Sequence, residues 1–595
     1  MKELDRLLVS MSIDDLLNHN FDTYSNEERE YLYERVTEIA DQKCYQVGIE
    51  YNIRDVELVD KLDDKLKLIE LALTLAYDSK SNYDDVFQQT RMWDSIIYNH
   101  LKKKNIVVPP IQKHKKDAAY VGAYVKDPQV GMHKWVASLD LNSLYPSLIM
   151  QYNISPEMLI EPKDYNATMR SIITSGVDVD RLLESKVDTS ALANENVTLT
   201  PNGQFFHVKK QGFLSEIMER MYTDRTVYKK KSIEAKKDLE KESDPSKRVE
   251  IEKRIARYNN LQLAKKVSLN SAYGALGNEY FRFFDVRQAT AITTSGQLAI
   301  RWIEKKLNEY LNKLLKTEKD YVIASDTDSI YLSLDELVLQ TLGKETTDSK
   351  RVIKFMDKVC ESKIQPFIDK SYRALATYVN AYDQKMQMKR EALADKGIWT
   401  AKKRYILNVY NNEGVEYAKP KVKIMGLEVK KSSTPALFRD KMEECIHIML
   451  NSTQDKLIDY IDEVKKEMKI VSIADISFPR GVNGLEKFSD VKMVYGKGCP
   501  IHVRGSLLYN NLIRKRKLDK KYPLIKEGEK IKFIYLKEPN TIRSNVIAFI
   551  QTLPKEFDLE SFIDYDLQFT KAFLEPIKII TDSIGWKTEV TATLF

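Results

Sequence analysis

The sequence predicts an α+β protein that combines strands with one long helical hairpin, and three observations carry that prediction. Two segments, W-V-A-S-L-D at residues 135–140 and V-I-A-S-D-T-D-S-I-Y-L at residues 322–332, are apolar in the manner of strands and meet acids at turns. Between them, residues 212–277 are densely charged and helix-favouring, broken only at Ser243-Asp244-Pro245-Ser246. That is the pattern of two long antiparallel helices joined by a tight turn. The first 111 residues read as mostly helical and polar, up to the Pro109-Pro110 break.

In the D-T-D segment, side chains on a strand repeat with a period of two, so Asp326 and Asp328 are expected on one face of a β-hairpin. Two acids held that close repel unless cations sit between them. A metal-dependent phosphoryl transferase needs such a pair, because two ions ~3.5–4 Å apart clamp the attacking and leaving oxygens. A solvated turn, a calcium ligand or a sugar-nucleotide site would also use Asp-x-Asp. A third acid, Asp140, ends an apolar strand that runs into D-L-N-S-L-Y-P-S, a turn rich in Ser, Asn and Pro. The expectation is therefore one cluster of Asp140, Asp326 and Asp328 that holds cations. The second helix of the hairpin ends in K-K-V-S-L-N-S-A-Y-G, where Lys266, Asn270 and Tyr273 fall at i, i+4 and i+7 on one face.

These runs, D-L-N-S-L-Y-P-S, K-x3-N-S-x-Y-G and D-T-D-S in that order, resemble motifs A, B and C of the family B (alpha-like) DNA polymerases, most closely the replicative polymerases of T-even-like tailed bacteriophages. Further similar stretches are Y-V-G-A at Tyr120, T-A-K-K-R-Y at Thr400, K-I-M-G-L-E at Lys423 and C-P-I-H-V-R-G at Cys499. One departure is Ala324-Ser325 where the family has Tyr-Gly before motif C, which implies an altered contact near the primer end.

The resemblance implies a right-hand polymerase architecture. Residues 1–111 would be the remnant of a 3′–5′ exonuclease domain with a linker, and 112–211 an antiparallel-sheet palm with motif A. Residues 212–278 would be two-helix fingers, 279–434 the rest of the palm, and 435–595 a mainly helical thumb and tail. It implies two Mg²⁺ ions, with Mn²⁺ as a substitute, held by Asp140, Asp328, the carbonyl of Leu141 and the auxiliary acid Asp326, with Glu391 as an outer acid. Ser143, Leu144, Arg225, Lys229, Lys266 and Asn270 would bind the incoming nucleotide, and Tyr273 would lie under the new base pair. Tyr145 would pack beneath the deoxyribose and exclude a 2′-hydroxyl, although a tyrosine there is otherwise an ordinary core residue. Lys402, Lys403, Arg404 and Tyr405 would follow the primer end, and Lys497, His502 and Arg504 the duplex backbone. Without the motifs, Lys229-Lys230-Lys231 reads as a solvated helix face and K-K-R-Y as a solvated strand end.

Near the start, Tyr51 and Asp55 fit the Y-x3-D motif of the family's proofreading nuclease, but no D-x-E precedes them, and Asn18-His19-Asn20-Phe21-Asp22 fits the companion motif only loosely. The expectation is a polymerase chain that does not proofread alone, the C-terminal product of a split enzyme whose partner chain carries the exonuclease. Primer–template DNA, deoxynucleoside triphosphates and a sliding clamp docked on the tail T-E-V-T-A-T-L-F complete the expected partners. The alternatives are a catalytically inactive DNA-binding polymerase subunit and a nucleotidyl or glycosyl transferase that uses D-T-D.

Composition agrees. At 595 residues the chain is too long for one core. Its 94 basic and 87 acidic residues give a net charge of only +7, so local clusters must make any nucleic-acid surface. Cys44, Cys360, Cys445 and Cys499 lie too far apart for a C-x2-C metal site and suggest no disulfide framework. No apolar run reaches the roughly 18 residues of a membrane span, and the N-terminus lacks the apolar core of a signal peptide. The cytoplasm of an infected bacterial host is the expected location.

Overall fold

A computed structural model describes residues 8–11, 26–113, 120–343, 348–490 and 493–589. The chain divides into two compact units, residues 1–115 with 217–284 and residues 116–216 with 285–595. The loosely matching stretch at residues 18–22 and the last six residues of the tail lie outside the described residues.

The first unit is helical, with α1 (Asn26–Leu66), α2 (Leu68–Ser79), α3 (Gln89–Lys103), α4 (Phe213–Lys241) and α5 (Pro245–Leu276). In the first half of α1, Leu32, Val36 and Ile39 recur at helical spacing and bury against Leu8. α2 and α3 pack along α5, where Trp93 donates to Ser271 at 2.9 Å and Arg282 forks onto Asp94 at 2.6 and 2.9 Å. Cross-links between α4 and α5 fix an antiparallel hairpin: Asp224 with Lys265, Ser232 with Asn259 and Asp238 with Arg254. The turn is where the sequence breaks the pattern. Asp244 accepts a bond from the amide of Ser246 at 2.9 Å and Pro245 opens α5, a cap followed by a residue that has no amide hydrogen to waste.

The second unit holds a six-stranded antiparallel sheet of β1 (Gly131–Leu141), β2 (Val322–Asp326), β3 (Ser329–Ser333), β4 (Met388–Ala401), β5 (Arg404–Asn412) and β6 (Val415–Met425), in the order β2-β3-β1-β4-β5-β6. Val136, Ile323, Tyr331, Trp399, Tyr405 and Val409 form an apolar layer of the sheet. The long helix α6 (Val286–Leu315) packs on β2 and on the short helix Leu144–Gln151. Toward the C-terminus, α7 (Ala436–Asn451) and α8 (Ile501–Lys515) share a core with a small sheet of β7 (Phe478–Gly481), β8 (Lys530–Tyr535) and β9 (Val546–Phe549), around Phe438, Phe549, Phe557 and Phe573. This region was expected to be mainly helical; the three-stranded sheet adds to that reading. α8 lies against β9 because Gly505 has no side chain: a Cβ there would sit 2.9 Å from the Ala548 nitrogen.

Candidate active site and nucleic-acid interface

β1 runs in the middle of its sheet, so Asp140 is carried between two neighbours, opposite Ser329 of β3 and Lys389 of β4. One residue on, the Leu141 amide donates to the Asp328 carbonyl at 2.8 Å and ties the end of β1 to the D-T-D turn. That turn corrects the strand expectation. β2 stops at Asp326, and Thr327 adopts a left-handed φ of 59°. The Asp328 amide then folds back on the Asp326 carbonyl at 2.7 Å. Asp328 is a turn residue, and the period-of-two argument does not apply to it.

The consequence is a different partition of acids. Burial pushes the Asp140 carboxyl up to about 7, and the negative charges of Asp328 and Glu391 add to the push, partly offset by Lys423. Asp328 is raised by burial and by the charges of Asp326 and Glu391. Asp326 is instead held by Lys403, whose ammonium lies 2.8 Å from its Oδ1, and that oxygen also accepts from Thr327 Oγ1 at 3.1 Å. Asp326 still lies near enough for its charge to raise Asp328, and Asp328 near enough to raise Asp140. Among the described residues no group of three or more His, Cys, Asp or Glu side chains converges to hold a metal ion.

Glu391, expected only as an outer acid, is the better integrated third carboxylate. Its Oε2 accepts from Ser138 Oγ and its Oε1 from the Lys423 ammonium, each at 3.0 Å. Sequence reading missed this clamp. Lys423 and Ser138 both lie in quoted motifs, but nothing in those motifs said which way the side chains point.

Tyr145 sits in the first turn of the Leu144–Gln151 helix, after Ser143 at a left-handed φ of 49° and with Leu144 buried. Its ring is half-buried and lies against Gly296 of α6, where a Cβ would be 3.5 Å from Cε1. Burial and the Asp328 charge raise its phenol, which places the ring near the acids.

Lys402 and Lys403 form the two-residue turn between β4 and β5. Lys402 pairs with Asp127 at 3.0 Å and Arg404 with Glu428 at 2.5 Å. Tyr405 is buried, and its hydroxyl shares a 2.8 Å hydrogen bond with that of Tyr331. Lys497 is exposed just before α8, His502 is half-buried in its first turn, and Arg504 donates to Asn545 at 2.6 Å and covers the Tyr495 ring.

In the first unit Lys266 and Asn270 are exposed and Tyr273 is half-buried on one face of α5, while the adjacent Lys265 is buried between Asp78 at 2.7 Å and Asp224 at 3.0 Å. That ion pair sets Arg225 and Lys266 at one level of the hairpin, with Lys229 exposed a turn further along α4. Tyr51 and Asp55 lie one helical turn apart on the exposed second half of α1.

Residues 85–583 match the profile of DNA polymerase family B, and the chain belongs to that family. It is 35% identical over 606 residues to the DNA-directed DNA polymerase of Escherichia phage RB69, covering 93% of this chain and 64% of that protein. It is 33% identical over 600 residues to the enzyme of Enterobacteria phage T4, covering 92% and 65%. The DNA polymerase delta catalytic subunit of Arabidopsis thaliana is 29% identical over 255 residues, 42% of this chain and 20% of that one. The chain thus spans just under two thirds of the phage relatives' length.

Proposed function

We propose that this chain extends a DNA primer by template-directed addition of deoxynucleotides, as the T-even-like phage polymerases are named for doing. The carrying observation is the closeness of the half-buried Asp140 and Asp328 where the Leu141 amide ties the end of β1 to the D-T-D turn, backed by Glu391. In this reading the six-stranded sheet is the palm, the α4–α5 hairpin the fingers, and the region from residue 435 the thumb.

Divalent cations fit the donor set, because burial and the neighbouring carboxylates hold Asp140 up at about 7 and raise Asp328, and a cation among them would relieve that repulsion. Asp140 and Asp328 would hold two Mg²⁺ or Mn²⁺ ions with the Leu141 carbonyl, and Asp326 would be auxiliary. Bound ions neutralise charge on the reacting oxygens. The chain's own residues do the positioning. Arg225, Lys229, Lys266 and Asn270 orient a triphosphate by charge-assisted bonds, Ser143 and Leu144 border the nucleotide, and Tyr273 supports the base pair. Tyr145 leaves no room for a 2′-hydroxyl. Lys402, Lys403 and Arg404 follow the primer end, and Lys497, His502 and Arg504 take the duplex backbone, with contacts blind to sequence. For the three cations now paired with Asp127, Asp326 and Glu428, DNA phosphates would replace carboxylates.

A further polypeptide supplying the remaining third of the relatives' length, with a nuclease site completed around Tyr51 and Asp55, belongs to the same reading. So do a sliding clamp at the tail and a site of action in the infected bacterial cytoplasm. In the test, Asp328→Ala lowers primer extension by at least about a hundredfold while binding to primer–template stays within about twofold. Full extension by that variant would remove the assignment. A wild-type chain that binds DNA and never extends it, with or without the further polypeptide, would establish the inactive DNA-binding subunit instead.

A further inference from the structure

We propose that the segment leaving α8 is a second nucleic-acid surface, at which exposed cations from Arg514 to Lys526 take a phosphate backbone outside the contacts proposed for Lys497, His502 and Arg504. With a net charge of only +7, any surface for a polyanion has to be local. Residues 514–532, which close α8 and lead into β8, carry nine basic residues against three acidic ones, a surplus of six. Among the described residues, ion pairs in this segment are confined to Arg516 with Asp558 at 3.4 Å and Lys521 with Glu556 at 2.8 Å. Arg514, Lys515, Lys517, Lys520 and Lys526 are exposed and keep their charge for a partner. The helix dipole accounts for only two of them. Arg514 and Lys515 stand in the last turn of α8, where a cation is favoured, and the effect dies away beyond that turn.

The segment is held in place although its charges repel one another. Lys517 takes a left-handed φ of 54° that turns the chain off the helix, and the Leu518 amide donates back to the Ile513 carbonyl at 2.9 Å. Asn510 then clamps Ile525 through two bonds of 2.8 Å, and the Tyr509 hydroxyl donates to the Pro523 carbonyl at 3.2 Å. Leu518, Tyr522 and Leu524 pack inward on the core of Phe549, so none of the segment's large apolar side chains is exposed. That pattern selects the partner. A protein surface would meet aromatic or other apolar side chains, and lysine is depleted at such interfaces. Here lysine supplies seven of the nine cations and the exposed face offers no large apolar side chain, which suits phosphates bound without regard to sequence. α8 has 15 residues, so its two ends stand about 22 Å apart, the rise of about six or seven base pairs. The same backbone chemistry can therefore come from the duplex continuing past Arg504 or from a separate single strand.

The inference goes beyond primer extension, and its experiment reads binding alone. Fluorescence anisotropy of the full chain would use labelled probes: an oligodeoxythymidine of about 20 nucleotides, and primer–templates with duplexes of about 10 and about 20 base pairs. Lys515→Ala, Lys520→Ala and Lys526→Ala together should weaken binding to the oligodeoxythymidine or to the longer duplex at least about tenfold near roughly 50 mM salt. The slope of log affinity against log salt should flatten by about two to three, one phosphate contact for each lysine removed. The equally charge-reducing set Lys350→Ala, Lys354→Ala and Lys358→Ala, on the helix Ser349–Val359, should leave both quantities unchanged. A loss seen with oligodeoxythymidine identifies a single strand, and a loss confined to the longer duplex identifies the continuing duplex. Equal losses from both sets, no loss with any probe, or labelled polyglutamate bound as tightly as the oligonucleotide and released by the first set would each overturn the proposal. A chain that binds through these lysines and extends nothing keeps the surface and loses only the polymerase reading.

Discussion

Asp140 is one acid among 87 in the sequence, and its chemistry comes from where β1 ends. Burial and the charges of Asp328 and Glu391 raise it, while Asp326, two residues from Asp328, is ion-paired with Lys403. The Tyr145 ring lies beside Gly296 of α6, within ordinary contact distance of where a Cβ would stand. Tyr145→Ala should raise ribonucleotide incorporation at least about tenfold relative to deoxynucleotides in single-nucleotide extension; an unchanged preference would remove the gate. His133 gives a pH prediction. Its half-buried ring lies 5.8 Å from Trp399 and its Nε2–H donates to the Gln129 carbonyl at 2.7 Å, and burial lowers its pKa. A depressed histidine stays neutral in the fold, so its contribution is complete above the ordinary value of about 6.5 and is lost as pH falls below it. Urea unfolding at pH 7 and pH 5 should therefore find a smaller acid-induced loss in His133→Gln than in the wild type, and equal losses would contradict it.

At the scale of elements, the helical hairpin was legible because its signals are local. The break expected at residues 243–246 is the observed turn between Lys241 and Pro245, and Asp244 caps α5 from within the same four residues. Asp244→Ala should cost about 1 kcal/mol in thermal or urea unfolding and leave primer extension unchanged. The D-T-D segment was legible as a hairpin, but not in where its first strand ends. A period of two identifies strands but not the residue at which a strand stops, and the stop here is set by the backbone bond from Asp328 to Asp326. The β4–β5 turn depends on a distant glycine. Gly426 has φ +69°, and a Cβ there would meet the Lys403 carbonyl at 2.1 Å. Gly426→Ala should destabilise the protein by more than about 2 kcal/mol and, by displacing Lys403 from Asp326, weaken primer–template binding in a fluorescence titration.

Over the whole molecule, the proposed function asks stability and DNA affinity of different residues. The core around Phe438, Phe549 and Phe573 is fully buried, and Phe573→Ala should cost about 3–5 kcal/mol in urea unfolding. The proposed affinity for DNA would come from local cations, given a net charge of only +7, and should fall at least about tenfold between roughly 50 and 200 mM salt. By itself the sequence determined the family, the strands that end in acids, the two long helices and their turn, because each is written in neighbouring residues that share one local geometry. The tertiary structure alone decided which charges meet. Glu391 is fixed by Ser138, 253 residues away, and by Lys423, and Asp326 answers to Lys403 across 77 residues. Electrostatic and hydrogen-bond energies depend on distance through space, and separation along the chain carries no information about that distance until the sheet has brought its strands together.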